Sequence, residues 1–376
     1  MTKPQLAVSL LLLLLANLGW TRAVPASPAL SSGRRWPYRS IFSFGNSYTD
    51  TGNNPTVFAE NDLFDPVNRP PYGSEFFRRP TGRCSNGRLI IDFIAQRLAL
   101  PLVPPYNPAL THNGSFRQGA NFAVMAATTL DAARFHDGSN PGNKYPLNTS
   151  LGVQLEWFES LKPLLCATTP GREKFFGRSL FILGEFGVND YHLSFENKSM
   201  NEIISLVPEV IGAISIAIER LITHGAKSFL VPGTIPSGCV PQILHYLTKD
   251  DPAEYNSTTG CLNVYNKLGM DHNQLLQEAL EKLRDRYPGV TIIYGDLFSP
   301  MMEMVESPAK FGFVKDVLTM CCGKPGAFLC GDDGANLCEE PSARLFWDDI
   351  HLTETAYHYI ANRWLRSMYS TATESS

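Results

Sequence analysis

The chain has 376 residues, 44% of them hydrophobic and 18% charged, enough apolar material for a sizeable core in one large or two smaller domains. Its formal net charge is only -4 and it carries no long basic run, so nucleic acid and anionic membrane surfaces are not expected as partners.

Residues 1–23 read as a targeting segment rather than as fold. Lys3 precedes the apolar stretch LAVSLLLLLLANLGW, and small residues then suit cleavage after Ala23, with Ala26 as a second candidate. The apolar stretch is shorter than the ~20 residues a span requires, so a cleaved signal peptide is expected and a stable membrane anchor is not. Four sequons, at Asn113, Asn148, Asn197 and Asn256, agree with a secreted glycoprotein in the extracellular space or cell wall.

From 38 to 368 the chain reads as a single domain, with a short polar tail over 369–376. SIFSFG at 40–45 is a short apolar run that predicts a buried strand, and it stops at Gly45-Asn46-Ser47. Long loops are expected around 50–85, 130–150 and 300–345. In FRQGANFAV, Gly119 offers a backbone N–H with no side chain beside it. SLFILGE at 179–185 predicts the next strand and runs into FGVNDY, which puts Gly187 and Asn189 at its end. A helix follows with Val207, Ile211, Ile214, Ile218 and Leu221 on one face and Gly225 as its stop. Pro208, Glu209 and two further charges argue against reading that helix as a membrane span.

KSFLVPG at 227–233 and VTIIYGD at 290–296 predict two more strands. Between them lies a helix with Leu268, Leu276, Leu280 and Leu283 on one face, ended by Pro288-Gly289. Strand, helix, strand at this spacing predicts a parallel sheet covered on both faces, with ligands beyond the carboxyl ends of the strands. Eight cysteines, at 84, 166, 239, 261, 321, 322, 330 and 338, are an even number as disulfides require. Their pairing is open. The last four lack a repeated Cys-x-x-Cys spacing, so zinc is disfavoured.

Ser47 stands at a strand end, but a serine hydroxyl needs an oriented base before it is a nucleophile. Six histidines (112, 136, 192, 224, 245 and 272) read as loop or helix-surface residues. His351 lies in FWDDIHLTETAYHYIA, three residues after Asp348, a spacing that lets the carboxylate hold one ring nitrogen. The competing reading makes Asp348 or Asp349 a helix cap and His351 a surface residue. A metal site at Asp348, Asp349, His351 and His358 lacks further ligands. For a developing oxyanion the available donors are Gly119, or Asn189 with Gly187 beside it.

The blocks FSFGNSYTDTGN, GANFAV, GVND and DDIH, in this order, resemble those of the plant GDSL esterase/lipase family of the SGNH hydrolase superfamily. The likeness runs from about Ser40 to Leu365 and includes TGRCSNGRLIIDFIA and LVPGTIPSGCVP. It implies a flavodoxin-like three-layer α/β/α sandwich and ester hydrolysis through an acyl-enzyme. By this resemblance Ser47 is the nucleophile, His351 the base and then the acid, and Asp348 the orienting carboxylate. The N–H groups of Ser47 and Gly119 and the Asn189 amide form the oxyanion hole. No metal or organic cofactor is implied, and the substrate is a small-molecule or polysaccharide ester. An acyltransferase on the same acyl-enzyme and an inactive glycan-binding protein are the alternatives.

The chain departs from the family twice. Asn46 stands where the namesake motif has Asp, a change expected to leave activity intact. Met125 stands where the family usually carries glycine, which is expected to narrow the acyl pocket.

Overall fold

The structure is a computed structural model that describes residues 36–107, 116–136, 145–331 and 336–374. The signal segment and the Asn113 sequon lie outside the described residues. Residues 38–376 form one compact unit. In chain order its main elements are β1 (Ser40–Phe44), α1 (Asn54–Glu60), α2 (Ile90–Arg97), β2 (Gly119–Asn121), α3 (Leu151–Leu165), α4 (Thr169–Phe176) and β3 (Ser179–Leu183). There follow α5 (Val188–His192), α6 (Met200–Thr223), β4 (Ser228–Pro232), α7 (Pro241–Tyr246), α8 (Asn263–Arg286), β5 (Thr291–Gly295), α9 (Phe298–Glu306) and α10 (Glu354–Glu374).

The five strands are parallel and ordered β2-β1-β3-β4-β5, the flavodoxin-like arrangement. Four of them fall where the apolar runs predict. The fifth, β2, is only Gly-Ala-Asn and offers no apolar run to read. Its position is set by backbone approach: Gly119 sits opposite Ile41 with φ 127°, and a Cβ there would lie 1.9 Å from the Ile41 carbonyl oxygen. Only glycine fits. On the far side of β2, the Asn121 N–H donates to the Pro104 carbonyl (2.9 Å) and Tyr106 returns its N–H to the Asn121 carbonyl (2.8 Å).

Alternation along the strands builds the two helical layers. Phe42, Phe44, Phe181 and Phe229 join α3, α4, α6 and α8 in one core, with the Phe42 and Phe181 rings stacked at 5.5 Å. Helix α6 begins at a capping box between Ser199 and Glu202. It is long and apolar enough to cross a membrane. Its stripe from Ile203 through Val207, Ile211, Ile214 and Ile218 to Leu221 is nevertheless buried in this core. On the other face Ile182 shares a small space with Ile90, Ile91 and Ile94 of α2 and Trp364 of α10. The Trp364 indole N–H also donates to the Asp296 carbonyl at 2.7 Å. Helix α10 continues to Glu374, so residues 369–374, read from the sequence as tail, extend this helix.

The cysteines pair as Cys239–Cys261, Cys321–Cys338 and Cys322–Cys330. The other two stay free. Cys84 is buried in the cluster around Tyr72 and Trp347, whereas Cys166 follows the end of α3.

Candidate active site

Strand β1 ends at Phe44 and the chain turns at once. The Asn46 carbonyl accepts the N–H groups of Thr49 (3.0 Å) and Asp50 (2.9 Å), leaving Ser47 at the carboxyl edge of the sheet with 5% of its surface exposed. The Ser47 N–H has no partner among the described residues.

A second segment runs alongside, with the Phe122 N–H on the Ser43 carbonyl (2.7 Å) and the Val124 N–H on the Gly45 carbonyl (3.2 Å). Asp50 ties the two together: its buried carboxylate accepts the N–H groups of Gly52, Asn53, Asn54 and, across the gap, Met125 (3.0 Å). A third segment enters from β3. The Asn189 amide donates to the Ala127 carbonyl at 2.8 Å, and Asp190 accepts the Thr129 and Leu130 N–H groups.

Asn189 thus lies beside the Ser47 turn, but Gly119 does not. Gly119 pairs with Ile41, three residues before the strand end at Phe44 and about 10 Å from it at the usual rise, and its N–H donates to the Phe116 carbonyl. The residue of that block with a left-handed backbone is Ala126, at φ 64°, and its N–H has no partner among the described residues. The backbone conformation that favours glycine thus falls at 126, next to Met125. Gly187 also owes its identity to packing, since a Cβ there would meet the His272 ring at 2.8 Å. His272 itself is buried on α8, where burial pushes its pKa down to about 3; the surface reading of this histidine was wrong.

Asp348 and His351 precede α10 rather than lying on it, and the residue that caps that helix is Thr353, whose hydroxyl accepts the Ala356 N–H. The His351 Nδ1 lies 2.9 Å from both Asp348 oxygens. Oδ1 also accepts the backbone N–H groups of Ile350 (3.0 Å) and His351 (2.7 Å), and Oδ2 accepts the Tyr72 hydroxyl at 2.8 Å. Burial acts to raise the Asp348 carboxyl, but the His351 charge and these hydrogen bonds outweigh it and hold the group below its ordinary value. Asp349 goes the other way: burial, then the Asp348 charge, push it well up. The His351 Nε2 is buried and has no partner among the described residues. The ring packs 5.6 Å from that of Tyr48, the residue after Ser47.

Beneath the Ser47 turn lies a buried acid that the sequence did not flag. Glu185 closes the apolar run of β3; its Oε2 accepts the Asn46 amide at 2.7 Å and its Oε1 accepts the Val188 N–H at 3.1 Å. Asn46 Oδ1 in turn accepts the Tyr48 N–H. Burial raises Asp50 and Glu185 to about 7 and Asp190 to about 6.

Beside the 122–127 segment opens a pocket of about 830 Å³ lined by Phe58, Leu63, Phe64, Met125, Tyr145 and Phe328, among others. Cys330, on its wall, donates its N–H to the Tyr72 hydroxyl that holds Asp348. Among the described residues no group of three or more His, Cys, Asp or Glu side chains is arranged to hold a metal ion.

A parallel sheet presenting a serine at a strand end, opposite a buried Asp–His pair, is the arrangement of a serine hydrolase. The chain belongs to the GDSL-like lipase/acylhydrolase family, whose profile matches residues 41–364, and it is a carboxylic ester hydrolase. Its relatives include Arabidopsis thaliana proteins named as GDSL esterase/lipases. At5g45910 is 41% identical over 90% of this chain and 92% of its own length. At1g28580 is 42% identical over 89% and 86%. At1g28670 is also 42% identical, over 91% and 90%.

Proposed function

We propose that the protein is a secreted serine esterase that hydrolyses esters with an apolar acyl group through an acyl-enzyme on Ser47. The observation that carries this reading is the Asp348–His351 pair, with Nδ1 engaged and the buried Nε2 unpartnered, packed against the residue next to Ser47. His351 Nε2 takes the Ser47 proton as Oγ attacks the ester carbonyl. The tetrahedral oxyanion is met by the N–H groups of Ser47 and Ala126 and by the Asn189 amide. As the intermediate collapses, the C–O bond breaks and His351 returns the proton to the leaving alcohol. Water, deprotonated by the same nitrogen, then releases the acid and restores Ser47.

The apolar pocket supports the substrate class. Its wall includes Met125, the chain neighbour of the oxyanion donor Ala126, and no residue of the 348–351 segment where the leaving oxygen is protonated. The acyl half is therefore the half placed there. Phe328 and Phe64, 53% and 65% exposed, stand where an incoming chain would gain most by covering them. Secretion is supported by the leader-like start and by sequon asparagines 148, 197 and 256, none of them buried.

The test uses the glycosylated secreted protein, its Ser47→Ala variant and p-nitrophenyl acetate, butyrate and octanoate. Ser47→Ala should lose at least about a thousandfold in kcat, as removal of a triad nucleophile does. kcat/KM should rise from acetate to octanoate. Turnover surviving in Ser47→Ala sinks the acyl-enzyme, a flat acyl profile sinks the pocket assignment, and ester products from an added alcohol make the protein a transferase.

A further inference from the structure

We propose that Glu185 is a positioning residue for this reaction, its single carboxylate fixing the Ser47 turn through Asn46 and the start of the Asn189 helix through Val188. The inference rests on the Ser47 reading above. Two parts of the site that must stay in register, the nucleophile turn and the helix bearing an oxyanion donor, follow the neighbouring strands β1 and β3, whose pairing ends at Phe44 and Leu183. Glu185 spans them: Oε2 takes the Asn46 amide at 2.7 Å and Oε1 takes the Val188 N–H at 3.1 Å, one residue before Asn189. The other Asn46 terminus is also used, accepting the Tyr48 N–H at 3.0 Å. Both ends of the Asn46 side chain thus have a role, and the donor that meets Glu185 is an uncharged amide.

This gives the chain's departure at position 46 a physical meaning. An aspartate there would set two carboxylates against each other, able to coexist only by sharing a proton. The other titratable groups acting on Glu185 or acted on by it are Asp190 and the hydroxyls of Tyr48 and Tyr191, and no cation is among them. The Glu185→Gln change beside the native Asn46 must leave one of two contacts unmade, because an amide offers one acceptor and one donor group where two acceptors are used. Combining Asn46→Asp with Glu185→Gln restores the full set. The new amide donates to the new carboxylate, the amide oxygen accepts the Val188 N–H, and the second carboxylate oxygen accepts the Tyr48 N–H.

The experiment is a double-mutant cycle on the full secreted protein, with Ser47→Ala alongside, read as kcat and KM on p-nitrophenyl butyrate across pH. Glu185→Gln should lower kcat about tenfold with little change in KM, the signature of a misplaced transition-state group. Asn46→Asp should match wild type at mildly acid pH, where the pair holds a proton, and lose about tenfold or more in kcat above neutrality. Asn46→Asp with Glu185→Gln should return to within about threefold of wild type and lose that pH dependence. Failure of the double variant to recover overturns the proposal, whether Glu185→Gln is folded and slow or does not fold. Wild-type kcat in a folded Glu185→Gln, with Ser47→Ala dead, overturns the positioning role alone. Activity in Ser47→Ala removes the serine reading and this inference with it.

Discussion

The two halves of the site are held in different ways. On the Ser47 side, the Ser47 turn, the 122–127 segment and α5 are fastened by buried carboxylates that accept backbone N–H groups: four on Asp50, two on Asp190 and one on Glu185. On the Asp348–His351 side, two disulfides run from the adjacent Cys321 and Cys322 to Cys338 and Cys330. The chain they enclose leans its Leu329 and Cys330 N–H groups on Asp349 and on the Tyr72 that holds Asp348. Irregular chain beyond a sheet has no ladder to satisfy its backbone, so each half must import partners. One half relies on carboxylates alone; the other adds covalent bonds to the carboxylates of Asp348 and Asp349.

The sharpest way to break the comparison is Asp50→Ala, which strips the acceptor from four N–H groups, three of them buried. With each orphaned group costing about 1–3 kcal/mol, the loss should be about 4 kcal/mol or more in urea unfolding. A wild-type midpoint would mean the carboxylate is not the fastening. Next comes Cys322→Ser with Cys330→Ser. Opening this loop, whose cysteines are 8 residues apart, should cost about 2.5 kcal/mol by chain entropy. It should also lower kcat, because Cys330 carries the N–H that steadies Tyr72. Unchanged kcat in this variant would uncouple the disulfide from the triad.

Tyr72→Phe removes one hydrogen bond to an ionised group, worth about 1.5–3 kcal/mol, and should cost about tenfold in kcat with KM steady. Burial, then the Asp348 charge, push the Tyr72 hydroxyl well up, so it donates throughout the working pH range. A Phe variant as fast as wild type would show that the backbone N–H groups alone hold Asp348.

The smallest effect is on stability against pH, where Asp348 opposes the raised acids, Asp349 beside it included. Asp50, Glu185 and Asp190 are raised in the folded state to about 7, 7 and 6, so their contribution is complete below the unfolded carboxylate range and is lost as pH rises through those values. Asp348 is lowered, so its contribution is present above that range and lost only as pH falls below it. Between about pH 5 and 8 the first set governs, and thermal midpoints should fall as pH rises. A midpoint that climbs over that interval would show that the buried acids do not carry protons in the fold.

Much of this molecule could be read from its sequence, and the misses share one cause. Strands β1, β3, β4 and β5 announce themselves as apolar runs closed by glycine, and Asp348 with His351 by their spacing. What could not be read was which backbone atom meets which. Gly119 looked like an oxyanion donor but is small because β2 presses on Ile41. Gly187 looked open to substrate but faces His272. Ala126, left-handed with a free N–H among the described residues, carries no sequence mark, since a left-handed alanine is indistinguishable on paper from any other. Glu185 was hidden as the last letter of a strand, where a charge normally signals exit to solvent.

The short strand β2 has one more consequence. A parallel sheet that ended at β1 would leave a row of open N–H and C=O groups able to pair with another chain. Here the border strand is three residues long, its glycine locks it flush to β1, and its outer backbone is taken up by residues 104–106. That side of the sheet presents almost no template for strand addition, so a second copy of the chain finds little there to extend.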